Sequence, residues 1–210
     1  MHAALAIALA YVAGSIPTAY LAGRWLKGVD LRTVGSGNLG ATNVHRNLGA
    51  RAAIVVLLAD FLKGALPAAF LPRLVHVAGA PETVLWVGLG CGVAAIAGHA
   101  KPIFLLWRGG GKGVATAAGV FAALGPAAFG MAFTAFAITF ALSRIVSLAS
   151  ISAAVMMPIG MAVTVGVWSP LFPVSIIVSA FVLWAHRGNI TRLRQGTEPR
   201  FGARTTEGAR

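Results

Sequence analysis

The hydrophobic positions of this chain fall into runs that are longer and more apolar than the amphipathic helices of a soluble protein. Uncharged or nearly uncharged stretches cover residues 3–22, 52–71, 83–98, 113–142 and 147–185. A helix needs about 20 apolar residues to cross a bilayer, so the last two stretches are long enough to be divided. The pattern predicts an all-α integral membrane protein.

Two breaks and the distribution of charge bring the predicted number of transmembrane helices to seven. We divide the chain at the Gly-Pro pair at 125–126 and at the Trp-Ser-Pro sequence at 168–170, because proline readily starts a helix. Fifteen of the seventeen lysines and arginines then lie on one side of the bilayer, which the positive-inside rule identifies as cytoplasmic. We therefore predict an outside N-terminus, an inside C-terminus, one seven-helix domain over residues 1–195 and a polar cytoplasmic tail over residues 196–210.

Composition supports a membrane protein and excludes several other classes. The 210 residues are 58% hydrophobic and 10% charged, with a mean hydropathy of +0.82, which is too little polar surface for a soluble globule. The net charge is +12, but the cations separate uncharged runs instead of clustering on amphipathic elements, which argues against nucleic-acid binding. The single cysteine, Cys91, excludes a disulfide framework, and we expect it to be a small packing residue.

Polar side chains concentrate in three segments that the predicted topology places on the cytoplasmic side. The first segment, residues 34–46, ends in Arg46, whose guanidinium can bind phosphate or carboxylate through two hydrogen bonds. Its hydrogen-bonding residues include Ser36, Asn38, Thr42 and Asn43. A flexible interfacial turn would account for the glycines of this segment, but not for so many polar side chains beside an arginine.

The second segment, residues 98–116, contains His99 and a run of glycines before a lysine. Consecutive glycines and Lys112 at the start of a helix can present backbone N–H groups, a positive helix end and an ammonium to one anion. The spacing is not that of a Walker loop. Loop flexibility alone would be an equal explanation, but Arg46 on the same predicted side favours anion binding.

The third segment, residues 186–198, carries His186 and Asn189, which are three residues apart and share a helix face. That pair suits hydrogen bonding to a hydroxylated substrate. Without context, the preferred explanation of the arginines of this segment is that they are stop-transfer charges that contact anionic headgroups. Asp60 and Lys63 are also three residues apart, inside a span, so we predict a mutual ion pair, with a substrate role as the second interpretation. The histidines and acids form no metal cluster.

Residues 36–46 match the signature Ser-Gly-Asn-x-Gly-Ala-Thr-Asn-x-x-Arg without a mismatch. The chain thus resembles the bacterial acyl-phosphate:glycerol-3-phosphate acyltransferase family, the PlsY-type membrane enzymes. The resemblance extends to Asp60-x-x-Lys63-Gly64, to the glycine-lysine segment and to residues 186–198. One departure is a third consecutive glycine, at 109–111, where the family has two.

The resemblance implies transfer of a fatty acyl group from acyl phosphate to the first hydroxyl of glycerol-3-phosphate, giving lysophosphatidic acid and phosphate. It implies no cofactor, no nucleic-acid partner, and a multi-pass location in the bacterial inner membrane with the active site at the cytoplasmic face. It assigns a structural role to Glu198. The predicted catalytic residues are Ser36, Arg46, His99, Lys112, His186 and Asn189. The predicted substrate-binding residues are Asn38, Thr42, Asn43, Gly109, Gly110, Gly111, Gly113 and Thr116.

Acyl phosphate is a mixed anhydride with a good leaving group, so direct attack by the hydroxyl is our mechanistic hypothesis. The proton acceptor stays open between His99, His186 and a phosphate oxygen of the acyl phosphate. A transporter for a phosphorylated solute is the alternative from another class, although such folds favour internal repeats and midplane sites. A monomer is compatible with the sequence, and no motif fixes the oligomeric state.

Overall fold

The computed structural model is all-helical wherever it describes the chain, which is over residues 1–75 and 81–202. Short 3₁₀ turns lie at Leu71–Leu74 and Ile103–Leu105. The α-helices in the described ranges are α1 (Ala3–Gly14), α2 (Thr18–Lys27), α3 (Ala41–Leu48), α4 (Ala50–Phe70), α5 (Pro81–Ala100), α6 (Val114–Leu124), α7 (Pro126–Ser143), α8 (Val146–Thr164), α9 (Leu171–Ala185) and α10 (Arg187–Arg194).

Both predicted breaks are confirmed, while the number of spans stays a prediction. α6 and α7 are separated at Gly125, and no helix covers the residues between α8 and α9. Within the described ranges, five helical segments are long and apolar enough to cross a membrane, and α9 with α10, bent by 58°, makes a sixth. α6 is apolar but has 11 residues, which span about 16 Å of a ~30 Å hydrocarbon core. The count of seven and the orientation are therefore not decided by helix length.

The first predicted span is broken, which the sequence pattern did not reveal. α1 ends before the sequence Ser15-Ile16-Pro17, and α2 begins directly after it. Pro17 has no N–H and its ring clashes with the carbonyl one turn earlier, so it cannot continue α1. The break leaves backbone carbonyls without helical partners inside an apolar segment, where such groups must be satisfied by other donors.

The predicted ion pair between Asp60 and Lys63 is confirmed and also serves the broken helix. The ammonium of Lys63 lies 2.7 Å from Asp60 Oδ1 and donates to the carbonyl oxygen of Ile16 at 3.0 Å. The hydroxyl of Thr18 donates to Asp60 Oδ1 at 2.6 Å. Asp60 and Lys63 therefore neutralise each other and hold α1 and α2 at their junction.

Small residues allow α4 and α6 to pack with their backbones in contact. A Cβ on Gly64 would overlap the carbonyl oxygen of Thr116, and a Cβ on Gly119 would overlap the carbonyl oxygen of Phe61. Close backbone approach through small residues is typical of helix pairs in membranes, where packing rather than the hydrophobic effect drives association. This contact places α6 against the middle of α4.

Large apolar side chains cover the outside of the helix bundle. Examples are Leu5, Val55, Val163 and Ile177, all of which are exposed. A soluble monomer rarely exposes so much contiguous apolar surface, so this surface suits a lipid environment. Cys91 is fully buried beside small residues of α1, as expected for a packing residue.

Candidate active site

A cavity of about 1620 Å³ brings the three polar segments of the sequence together. It is lined by residues of α3, α4, α5, α6, α7, α8, α9 and α10. The predicted site residues on its wall are Ser36, Asn38, Thr42, Asn43, Arg46, His99, Lys112, Gly113, His186 and Asn189. Because these residues come from distant parts of the chain, their convergence is a property of the tertiary structure and identifies the cavity as the candidate site.

Asn43 organises the first segment from within. Its Oδ1 accepts the backbone N–H of Ser36 at 3.0 Å, and its Nδ2 donates to the carbonyls of Leu31 (3.0 Å) and Val34 (3.2 Å). The side chain is buried, so these bonds use nearly all of its hydrogen-bonding capacity. Asn43 thus positions the loop that carries Ser36, while Ser36 and Arg46 are exposed on the cavity wall.

The glycine run connects the first segment to α5. The carbonyl of Gly110 accepts the N–H of Leu39 at 3.2 Å and the amide of Asn38 at 3.4 Å, while the N–H of Gly111 donates to the carbonyl of His99 at 3.1 Å. Gly109 and Gly110 have φ values of 89° and 151°, which side chains of L-residues rarely allow. The run is glycine-rich because its backbone passes between the first segment, at residues 38–39, and the end of α5, at His99.

Lys112 stands immediately before α6, at the centre of a polar network. Its ammonium donates to Oδ1 of Asn189, and Nδ2 of Asn189 donates to Glu198 at 2.5 Å. Burial lowers the pKa of Lys112 to about 8, with Glu198 opposing this shift and the nearby guanidiniums of Arg192 and Arg46 adding to it. Lys112 is therefore a cation near neutral pH whose charge an incoming anion would stabilise.

Glu198 is the carboxylate that holds this network in place. It accepts the hydroxyl of Ser147 at 2.7 Å and pairs with Arg192 Nε at 2.7 Å, in addition to the amide of Asn189. Burial raises its pKa, but these three hydrogen bonds outweigh burial and hold the pKa of Glu198 below its usual value. An ionised Glu198 orients Asn189, which in turn orients Lys112.

The two predicted histidines differ in their hydrogen bonding. Nδ1 of His186 lies 2.8 Å from the carbonyl of Val182. Since a carbonyl only accepts, Nδ1 carries the proton and the neutral ring keeps its lone pair on Nε2. Nδ1 of His99 is 3.6 Å from Asp60 Oδ1 and has no hydrogen-bond partner among the described residues.

Another part of the cavity wall is apolar and extends into the bundle. On α7 it includes Phe136, Phe133 and Phe129, which lie about 10, 15 and 21 Å from the C-terminal end of that helix at ~1.5 Å per residue. That end is next to the start of α8, where Ser147 contacts Glu198. The cavity therefore has a polar, positively charged mouth and a deep apolar interior.

The glycerol-3-phosphate acyltransferase family profile matches residues 4–196 of the chain. The glycerol-3-phosphate acyltransferase of Synechococcus sp. (strain CC9902) is 47% identical over 202 residues, a match that covers 94% of each chain. The chain belongs to the glycerol-3-phosphate acyltransferase family.

Two solved structures of this acyltransferase family have the same fold. The glycerol 3-phosphate form of PlsY (YgiH), an integral membrane glycerol 3-phosphate acyltransferase, superposes with a TM-score of 0.85 at 40% identity and covers 95% of this chain and 96% of its own. Its lysophosphatidic acid form has a TM-score of 0.80 at 38% identity, with 95% of each chain covered. This acyltransferase is therefore an all-helical integral membrane protein.

Four predicted substrate-binding residues of the acyltransferase are not on the cavity wall. They are Gly109, Gly110, Gly111 and Thr116. The glycines form backbone contacts behind the wall, and Thr116 is fully buried where α6 meets α4. Among residues 1–75 and 81–202, no group of three or more His, Cys, Asp or Glu side chains is placed to hold a metal ion.

The candidate site of the acyltransferase also contains residues that the sequence did not assign to it as a first interpretation. Asp60 lines the cavity beside His99, and so do residues 199–202 of the predicted tail. The spacing of Asp60 and Lys63 indicated a pair but not its distance from the polar segments. Residues 203–210 of the predicted tail lie outside the described residues.

Proposed function

We propose that this acyltransferase moves a fatty acyl group from acyl phosphate to the first hydroxyl of glycerol-3-phosphate, forming lysophosphatidic acid and inorganic phosphate. The observation that carries the proposal is a cavity that combines a cationic mouth with an apolar interior. A phosphorylated polar substrate and a long acyl tail need these two environments side by side. The glycerol 3-phosphate and lysophosphatidic acid forms of the solved relative support the acceptor and the product.

Phosphate binding falls to Arg46, Lys112 and Ser36. Arg46 has no hydrogen-bond or ion-pair partner within the described part of the chain, so its guanidinium is available for a bidentate contact. Lys112 is oriented by Asn189 toward the same cavity. Both substrates carry phosphate groups, and pre-oriented cations also stabilise the charge that builds up on the leaving phosphate.

The chemical step is a direct acyl transfer. The first hydroxyl oxygen of glycerol-3-phosphate attacks the acyl carbon, a new C–O ester bond forms, and the C–O bond to the phosphate breaks. The electron pair of that bond leaves with the phosphate, and the hydroxyl proton goes to a base. A good leaving group makes a covalent enzyme intermediate unnecessary.

The base is one of His186, His99 or a phosphate oxygen of the acyl phosphate. His186 has the prepared tautomer, because its Nδ1 hydrogen bond leaves the Nε2 lone pair free to accept a proton. His99 is held more loosely, at 3.6 Å from Asp60. If His186→Ala and His99→Ala each keep near-full turnover, the phosphate oxygen is the acceptor.

We further propose that the site faces the cytoplasm in the bacterial inner membrane, where this reaction would begin phospholipid synthesis. Support comes from the charge distribution, since fifteen of seventeen lysines and arginines lie on the side of the polar segments in a seven-span topology. The spans would be α1 with α2, α4, α5, α6, α7, α8 and α9 with α10. We take the monomer as the working unit, because one chain supplies every part of the cavity described above.

The deciding experiment supplies purified protein with glycerol-3-phosphate and one acyl donor at a time: acyl phosphate, acyl-CoA or an acyl carrier protein thioester. We expect lysophosphatidic acid and phosphate from acyl phosphate only. Lys112→Ala should lower the rate strongly, while Lys101→Ala, an exposed cation outside the cavity wall, should not. Solute flux into liposomes without phosphate release would instead support a transporter.

A further inference from the structure

The C-terminal strap, which we define as residues 195–202, folds back over the mouth of the cavity. α10 ends at Arg194, and Gly196 has a φ of 68°, a left-handed conformation that commonly turns the chain after a helix. The N–H of Thr197 then donates to the carbonyl of Arg192 at 2.9 Å. Beyond this turn, residues 198–202 all line the cavity.

Two anchors hold the strap at this position. The first is Glu198, whose carboxylate receives the three hydrogen bonds described above. The second is Phe201, whose N–H donates to the carbonyl of Arg144 at 2.6 Å. The ring of Phe201 also lies 4.5 Å from the ring of His45 and 5.6 Å from that of Phe140, measured between centroids. The strap thus spans from α10 to α3 and to the turn between α7 and α8.

Arg200 lies between the two anchors, and its position is therefore defined by them. Pro199 stiffens the backbone on one side, and Phe201, whose ring contacts those of His45 and Phe140, fixes it on the other. Arg200 lines the cavity and is exposed to it. Phe201 and His45, whose rings are in contact, are the chain neighbours of Arg200 and Arg46, and both arginines line the cavity.

The other charged residues of the cavity do not provide a counterion for Arg200. Arg192 is paired with Glu198, and the guanidinium of Arg187 lies 4.4 Å from the ring centre of Trp184. The carboxylate of Asp60 is neutralised by Lys63. Within the described part of the chain, Arg200, like Arg46, has neither an ion-pair nor a hydrogen-bond partner for its guanidinium.

We propose that Arg200 is a further phosphate-binding residue of the acyltransferase site, presented by the strap and acting beside Arg46 on the phosphate of one of the two substrates. This inference rests on the proposed function. An unpaired guanidinium that lines the same cavity as a second one can form a site for a dianion, and a planar fork suits phosphate oxygens. The strap would then be part of the active site and not a solvated tail.

Steady-state kinetics of Arg200→Ala and Arg200→Lys test this role. One arm varies glycerol-3-phosphate at saturating acyl phosphate, and the other varies acyl phosphate at saturating glycerol-3-phosphate. We expect Arg200→Ala to raise at least one of the two KM values by tenfold or more, with a smaller change in kcat. Arg200→Lys keeps the charge without the fork and should lie between wild type and Arg200→Ala.

Arg194→Ala is the matched control, because it removes the same charge from an exposed residue that is not on the cavity wall. Its KM values should stay within twofold of wild type. The arm in which KM rises identifies which substrate phosphate Arg200 binds. The proposal is overturned if both KM values of Arg200→Ala are unchanged, or if Arg194→Ala raises them equally. A wild-type protein without glycerol-3-phosphate-dependent phosphate release would overturn the proposed function and the role of Arg200 with it.

Discussion

Replacing Lys63 with methionine should destabilise the protein much more than replacing Lys63 and Asp60 together. The two side chains are 8% and 2% exposed, and the ammonium is 2.7 Å from the carboxylate. Lys63→Met leaves the carboxylate of Asp60 buried with only the Thr18 hydroxyl as a close hydrogen-bond donor. The double variant Asp60→Asn/Lys63→Met removes both charges and keeps an amide oxygen that can accept from Thr18.

The expected magnitudes follow from the burial of the pair. Removing one partner of a buried ion pair costs about 3–5 kcal/mol, because the remaining charge is uncompensated, whereas replacing both partners is often neutral. Lys63→Met also removes the hydrogen bond to the Ile16 carbonyl, which contributes about 1 kcal/mol. We therefore expect a loss of about 4–6 kcal/mol for the single variant and about 1 kcal/mol for the double variant.

Thermal unfolding in detergent micelles at a fixed scan rate measures the difference. At about 2–4 °C per kcal/mol for a chain of this size, Lys63→Met should lower Tm by roughly 8–24 °C, and the double variant by roughly 2–4 °C. Lys101→Met, which removes an exposed lysine, serves as the control. If the double variant is destabilised as much as the single one, the uncompensated charge is not the cause and the reasoning fails.

Three further changes test other parts of the molecule. The KM for glycerol-3-phosphate should rise as pH increases through about 8, because the pKa of Lys112 is lowered to about 8 by burial and the neutral amine above that pH no longer attracts phosphate. Steady-state kinetics over the same pH range should show no such rise in KM for Lys112→Arg, since a guanidinium stays charged. Gly64→Ala should reduce stability in thermal unfolding by about 1–3 kcal/mol, because the new Cβ overlaps the Thr116 carbonyl. Ala153→Phe, on the apolar cavity wall, should lower turnover of long-chain acyl phosphates more than of short-chain ones in a chain-length series.

Each of these expectations has an outcome that contradicts it. A flat KM between pH 7 and 9 would mean that Lys112 does not bind phosphate through its charge. Gly130→Ala is the control for Gly64, because its Cβ would meet nothing within 4 Å and the exchange should be neutral or stabilising. If Gly64→Ala and Gly130→Ala lose equal stability, overlap with the Thr116 carbonyl is not the cause of the loss at Gly64. An unchanged chain-length profile in Ala153→Phe would place the acyl tail elsewhere.

The sequence predicted the local features of the fold well. Hydropathy is a property of neighbouring residues, so the apolar stretches, the break at Gly125 and the loop before α9 could all be predicted. The Asp60–Lys63 pair was predictable for the same reason, since residues three apart on a helix are always adjacent. The break at Ser15-Ile16-Pro17 was missed, because a proline inside an apolar run leaves the hydropathy unchanged.

The sequence also identified the polar segments that meet at the cavity, but not which of their side chains bond to the protein's own backbone. The predicted site residues of the first segment all line the cavity, yet Asn43 uses its amide on the backbone of its own loop. Asn38 bonds to Gly110, which is 72 residues away. The sequence does not distinguish a side-chain donor that bonds to a backbone carbonyl from one that is available to a substrate.

The sequence by itself determined that this is a helical membrane protein, that its polar chemistry lies in three segments, and that it resembles one acyltransferase family. Only the tertiary structure decided which of those polar side chains share the cavity, that the glycine run serves as a backbone support, and that the strap returns to the mouth. Lys112 and Asn189, for example, are 77 residues apart and meet only because the helices between them pack. Hydropathy and helix periodicity are set within a few residues, whereas a binding site is set by contacts between helices that are distant along the chain.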